Sequence, residues 1–319
     1  MNKNIKIYIA GHCGLAGSAV ARELQRQGYV NVVTRTHAEL DLEDAEATRK
    51  FFEHEQPEVV FLAAAKVGGI HANNTYPVDF LMSNLLIEAN VCRAAYASKI
   101  NRLIFLGSSC IYPRDCQQPI KEEYLLTGPL EATNRPYALA KIAGIEMCWS
   151  YNRQYGTKWL AAMPTNLYGP GDNYDLINSH VLPALIRKMH EAKMSGVSEV
   201  VLWGSGTPKR EFLYVDDLAN ALVFLATLDD KRYNTLVKST QCPVINVGSG
   251  TDLTIRELAE KVAEVVGYTG NFVQDTSKPD GTMRKMMDVS KIHGLGWKAN
   301  TSLERGIELT YKIFKEVQA

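Results

Sequence analysis

The chain carries no net charge: 35 Lys and Arg residues balance 35 Asp and Glu residues. That balance removes any global electrostatic case for nucleic acid or an anionic membrane and leaves only local basic clusters as phosphate sites. No apolar run approaches the about 18–20 residues that span a bilayer. At the N-terminus, MNKNIKIYIAGHCG sets basic residues before apolar ones, but the apolar part is short and runs straight into glycines. It is expected to be a first strand rather than a signal peptide, and the protein to be cytoplasmic. Cysteine is sparse. Cys13, Cys92, Cys110, Cys116, Cys148 and Cys242 form no C-x-x-C pair and no metal-like spacing with histidine, so no metal site is expected. Most are expected to be reduced, small, buried residues. Repeats and low-complexity segments are also missing.

The 319 residues, 46% hydrophobic and 22% charged, suit a soluble globular protein of one large or two smaller domains. Through the first 170 or so residues, strand and helix patterns alternate. Apolar runs at 5–11, 30–35, 58–65, 102–109 and 158–164 are separated by helical periodicity at 18–28, 43–56, 77–98 and 136–155. Such alternation predicts an α/β fold, a doubly wound parallel (Rossmann) sheet with right-handed crossovers. Beyond residue 169 the pattern loosens. Helices are expected at 179–192, at 216–228 with Asp216 as N-cap, at 254–267 with Thr254 as cap, and from about 302. The division expected is a dinucleotide-binding domain of 1–168 with 213–248, and a smaller α/β substrate lobe of 169–212 with 249–319.

Gly11, Gly14 and Gly17 form G-x-x-G-x-x-G between the first strand and first helix. Glycines there let the backbone turn tightly and approach a pyrophosphate on the helix N-terminus. A glycine triplet alone is a weak signal; this one has the strand–loop–helix context. An NAD-preferring site would end the second strand with an acidic residue, and this chain has Arg35 there. A guanidinium suits a 2′-phosphate, and His12 adds a donor in the loop, so NADP is favoured over NAD. The plainer alternative for Arg35 is a solvated charge at a strand end.

Tyr137 and Lys141 form Tyr-x-x-x-Lys on one helix face. An ammonium near a phenol is expected to lower its pKa from about 10, fitting it to exchange protons with an alcohol or sugar oxygen. Ahead of them, GSSCIYP follows the apolar run LIFL, so Ser108, Ser109, Cys110 and Tyr112 sit just past a strand end. Taken alone, Cys110 there reads more readily as filler, and His180 as a surface or capping residue. His71, His190 and His293 carry no chemical reading.

These motifs carry a resemblance. With GHCGLAGSA, LAAAKVGGIHANNTYP, FLGSSCIYP, PYALAKIAG, MPTNLYGP, NSHVLPALIRK, WGSGTPKREF and SKPDGTMRK, nearly the whole chain resembles the extended short-chain dehydrogenases/reductases. Within them it resembles the family of GDP-4-keto-6-deoxymannose epimerase/reductases. The resemblance implies Ser108, Tyr137 and Lys141 as a reductase triad, and Cys110 with His180 as the acid/base pair for epimerisation at C3 and C5. It implies a cofactor site of Gly11, His12, Gly14, Leu15, Gly17, Arg35, Ala63, Ala64, Leu106, Gly107, Lys141, Pro164, Asn166, Leu167 and His180. For the GDP-sugar it implies Ser108, Asn166, Lys188, Trp203, Arg210 and Asp280; Lys209 reads as a solvated charge. His12 departs from the family, where arginine is often found. A homodimer through the helices at 77–98 and 136–155 is implied as well.

The residue types suit the chemistry. The C4 ketone acidifies the protons at C3 and C5, and a thiol (~8.5) and an imidazole (~6.5) have pKa values close enough to neutrality to exchange them. Donors at the C4 oxygen would serve both the enolate and the later reduction. The same chemistry on a related GDP-4-keto sugar, 3,6-dideoxy or heptose, is the nearest alternative. A dehydratase is disfavoured by Ser109-Cys110 where such enzymes tend to carry Asp-Glu. A 4-epimerase that keeps NAD is disfavoured by Arg35, and a non-catalytic NADP-binding sensor by the Tyr/Lys pair.

Overall fold

The computed structural model describes residues 1–176, 179–238, 240–277 and 280–318. Six parallel strands form the central sheet: β1 (Ile7–Ala10), β2 (Val32–Thr34), β3 (Val59–Leu62), β4 (Arg102–Leu106), β5 (Lys158–Pro164) and, later in the chain, β9 (Val244–Val247). Their order is β2-β1-β3-β4-β5-β9. The strands IYIA, VVFL and VINV are buried throughout, as expected where helices cover both faces of a parallel sheet. Strand order reverses between β1 and β3, which opens a crevice at the strands' C-terminal ends, the usual seat of a dinucleotide.

The crossovers are α1 (Leu15–Arg26), α2 (Ala45–Glu55), a short α3 (Ile70–Thr75), and two long helices, α4 (Pro77–Ala97) and α5 (Arg135–Tyr155). Proline opens both long helices, where its missing N–H costs nothing. Helices α2, α4 and α5 pack side by side, and α1 packs against α7 (Val215–Thr227).

Beyond β5 come β6 (Asn166–Tyr168), α6 (Val181–Ser195), β7 (Glu199–Trp203) and β8 (Lys209–Tyr214). After β9 follow β10 (Asp252–Thr254), α9 (Ile255–Val266), β11 (Asn271–Asp275), β12 (Arg284–Lys285), α10 (Ser290–Gly294) and α11 (Leu303–Gln318); α8 (Asp230–Leu236) precedes β9. Strand β8 pairs with β6, β10 and β12, and β7 pairs with β11. A second hydrophobic core gathers Leu185, Ile186, Met189, Leu258, Val262 and Phe314 from α6, α9 and α11. Met287, Val289, Ile292 and Trp297, although they fall in the 249–319 piece, pack in the core of the large sheet. Ser249, Gly250 and Met287 converge on one buried carboxylate: Glu211 of β8 accepts from Gly250 N at 2.7 Å and Met287 N at 2.8 Å.

Thr254 caps α9 with a full capping box, as its sequence predicts. Asp216 does not cap α7. Strand β8 runs into α7 without a loop, Tyr214 takes the cap position, and Asp216 in the first turn pairs with Arg22 at 2.5 Å.

Candidate active site

The glycine turn after β1 fits a pyrophosphate. Gly11 has φ +88°, and a Cβ there would lie 2.6 Å from Ala64 N, so β3 and the turn touch through backbone. A Cβ on Gly17 would overlap the Gly11 carbonyl. Gly14 is different: a Cβ there meets nothing closer than 3.5 Å, so protein packing does not require glycine, whereas close approach of a ligand does. Gly14 is also the N-cap of α1, without a side-chain cap and with no acidic residue in the first turn. The leading N–H groups, Leu15 onward, are thus left for an anion.

At the rim, Arg35 donates to Glu55 Oε1 at 2.6 Å and to Thr34 O at 2.7 Å, and lies 5.4 Å over the Phe51 ring. The guanidinium is therefore ion-paired, and engaging a 2′-phosphate means sharing or leaving Glu55. His12 and Arg35 both act on Glu39, whose carboxyl is held below its ordinary range chiefly by hydrogen bonds from Thr36.

The second part of the site forms where β4 ends. Gly107 follows Leu106, and a Cβ there would overlap Met163 of β5. The chain then makes a single 3-10 turn, Ser109–Ile111, with Ser108 as its cap, accepting from Cys110 N at 3.4 Å. This turn buries Cys110 and brings it to Tyr137 and Lys141 near the start of α5. Lys141 is buried, and its Nζ donates to Leu106 O at 3.1 Å. The Tyr137 ring stands edge-on to Phe80 of α4, 6.3 Å away.

Burial pushes the Tyr137 phenol well above its ordinary value of 10.0, helped by the nearby charges of Cys110 and Glu88 and opposed by a hydrogen bond with Ser108. The lowered pKa expected from the Tyr-x-x-x-Lys spacing is not what the structure has. Desolvation outweighs every nearby charge. At neutral pH Tyr137 is a proton donor. Burial likewise raises the Cys110 thiol, while Lys285, Ser108 and Lys141 pull it down. His180 occupies the N-cap position of α6 without a side-chain capping bond, and desolvation lowers its pKa.

The sugar-nucleotide candidates Lys188, Trp203, Arg210 and Asp280 lie on α6, β7 and β8 and in the loop before β12. Lys188 of α6 lies 5.0 Å over the Trp203 ring and donates to Val201 O at 3.3 Å; burial lowers its pKa. Asp280 accepts from Ser205 N at 2.7 Å, against Gly204, and its charge acts on Arg210. Arg210 in turn faces Lys285, which faces Cys110. Asp280, Arg210, Lys285 and Cys110 thus form a chain of charges that act on one another. Asn166 spends its amide N–H on Glu211 O at 2.8 Å, which leaves its Oδ1 for a ligand. Asn178 and Lys278–Pro279, parts of two of the motifs, lie outside the described residues.

Sequence reasoning missed two charged groups at this site. Lys285 lies within the motif SKPDGTMRK, yet its facing Cys110 depends on β12 pairing with β8. Glu88 sits inside an apolar helix, and that misplaced charge in NLLIEANVC was its one signal.

A profile of the NAD-dependent epimerase/dehydratase family matches residues 7–237. The chain belongs to this family. It is 54% identical to the GDP-L-fucose synthase of Escherichia coli K12, over 98% of this chain and 97% of that one. To GDP-L-fucose synthase 1 of Arabidopsis thaliana it is 56% identical, over 97% and 93%. Among solved structures, the GDP-mannoheptose C4 reductase of Campylobacter jejuni with NADP bound superposes with a TM-score of 0.89 at 41% identity, covering 99% of each chain.

Proposed function

We propose that the protein is an NADPH-dependent 3,5-epimerase and 4-reductase that converts GDP-4-keto-6-deoxy-D-mannose to GDP-L-fucose. The observation that carries this reading is the Ser108–Cys110 turn packed against Tyr137 and Lys141, which puts a thiol, two hydroxyls and an ammonium at one strand end. Similarity to GDP-L-fucose synthases over nearly the whole chain supports the substrate. Residues 1–168 with 213–248 serve the cofactor, and 169–212 with 249–319 the sugar nucleotide, apart from the stretch at 287–297 that packs back on the large sheet.

Bound NADPH supplies the reducing equivalent for the C4 carbonyl. The chain does the rest. The α1 N-terminus and glycine turn hold the pyrophosphate; Arg35 and His12 meet the 2′-phosphate. Lys141 orients the nicotinamide ribose. Ser108 and Tyr137 donate to the C4 oxygen, first as negative charge develops there during epimerisation and then as Tyr137 gives its proton in reduction. Cys110 and His180 exchange the C3 and C5 protons from opposite faces of the sugar. Lys188 and Arg210 balance the diphosphate, with Trp203 and Asp280 against the remainder of the nucleotide. The exposed apolar side chains of α4 and α5, among them Met82, Leu86, Tyr96, Leu139 and Tyr155, pair two copies into a homodimer.

Mixing enzyme, NADPH and GDP-4-keto-6-deoxymannose should oxidise NADPH and yield GDP-L-fucose; no oxidation sinks the assignment. Cys110→Ser should slow deuterium uptake from heavy water into C3 and C5 by about 10²-fold while NADPH still binds. Tyr137→Phe should cut reduction by a similar factor. Wild-type exchange in the first variant, or wild-type reduction in the second, removes the role in question. A second reading, the same chemistry on a GDP-heptose, is favoured by the likeness to the heptose reductase. A higher kcat/KM on the heptose substrate would select it.

A further inference from the structure

Glu88 lies in the middle of α4 with none of its surface exposed. Its Oε1 is 3.1 Å from Lys141 Nζ, an ion pair between two buried side chains. Neither carboxylate oxygen has a well-formed hydrogen bond. The slot for the carboxylate is built into α5. A methyl group on Gly144 would lie 2.7 Å from Glu88 Oε2 and overlap the Phe105 ring. An apolar pair of similar volume would pack this helix crossing at least as well, so packing alone gives no reason for a charge here.

We propose that Glu88 is a positioning residue for proton transfer: its carboxylate is the counter-charge that keeps buried Lys141 protonated and holds the ammonium between α4 and the Leu106 carbonyl. This rests on Lys141 and Tyr137 being the reductase pair. Burial drives both side chains toward their neutral forms and pushes the Glu88 carboxyl above its ordinary range, and only the opposite charge of Lys141, 3.1 Å away, pulls it back; each charge of the pair is held by the other. The titratable groups around the carboxylate are Lys141, Tyr137 and Cys148 of α5 and, through Cys148, Cys92 of α4.

The sign of the pH effect follows. With Glu88 made neutral, Lys141 loses its proton at lower pH. While Lys141 stays charged, the Tyr137 phenol also ionises earlier, because the carboxylate that opposed it is gone. Reduction needs both groups protonated. In E88Q the alkaline limb of the kcat profile for reduction should therefore move down by about one pH unit, with KM for the GDP-sugar within twofold of wild type. E88D, which keeps the charge, should restore most of the limb. A second measurement needs no cofactor: the titration of the Lys141 side chain followed by its Cε resonance, assigned through Lys141→Arg, should show a lower midpoint in E88Q. If E88Q does not fold, E88D carries the test, because its longer ion-pair gap should lower the same midpoint by a smaller amount. An alkaline limb and a lysine midpoint that both stay at wild-type values overturn the role of Glu88. Full reduction by Lys141→Met or Tyr137→Phe would instead overturn the reductase pair beneath it, so the two failures are distinguishable.

Discussion

Cys110 is buried and Tyr137 half-buried, and desolvation pushes both the thiol and the phenol above their ordinary values. The spacing in Tyr-x-x-x-Lys reveals only the neighbouring charge; the desolvation depends on tertiary packing, of which the Phe80 ring 6.3 Å away is one part, and it decides the sign. Residue types were legible at this scale and their protonation was not. Asp172 makes the same point in the loop after β6. Burial raises its carboxyl from 3.8 to about 7. A carboxyl raised on folding is fully compatible with the native state below pH 3.8, and stability is lost as pH climbs toward 7. Asp172→Asn should therefore melt with wild type near pH 4 and several degrees above it near pH 8. Melting curves recorded across that range, if they stay parallel, refute the buried-carboxyl account.

At the scale of elements, the two outer glycines of the turn and the middle one do different jobs. Gly17→Ala forces backbone against backbone and should cost roughly 1–3 kcal/mol of stability as well as cofactor binding. Gly14→Ala has room for its methyl. It should leave stability within about 1 kcal/mol and weaken NADPH binding at least tenfold. Chemical denaturation beside a fluorescence titration separates the two, and equal losses in both variants would contradict the distinction. The parallel strands and long helices were legible because their buried faces repeat with the right period. The small strands β6 and β12 were not, because they exist only through pairing with β8. Nor were α3 and α8, each about two turns or less. The missed cap at Asp216 has the same origin: the direct junction of β8 and α7 is a tertiary arrangement.

Across the whole molecule, among the described residues no helix is long and apolar enough to cross a membrane, and the largest exposed apolar side chains of α4 and α5 include Leu86, Leu139 and Tyr155. Tyr96 and Tyr155 stack across the two helices at 4.3 Å, forming one aromatic surface. If two copies pair through this surface as proposed, Leu139→Glu should shift the mass from dimer to monomer by light scattering, with the fold intact by circular dichroism; an unchanged mass places the interface elsewhere. The pattern loosens after residue 169, but the packing of Ile292 and Trp297 in the core of the large sheet was not legible, since nothing in an apolar residue names its partner. Helices α4 and α5 meet at the Glu88–Lys141 pair on their buried side and offer their aromatic surface on the other. In the proposed dimer, mass action would tie catalysis to concentration. Diluted below the dissociation constant of the proposed dimer, the enzyme should lose specific activity as this helix pair loosens, so that a cell making little of the protein would then have less activity per molecule as well as fewer molecules.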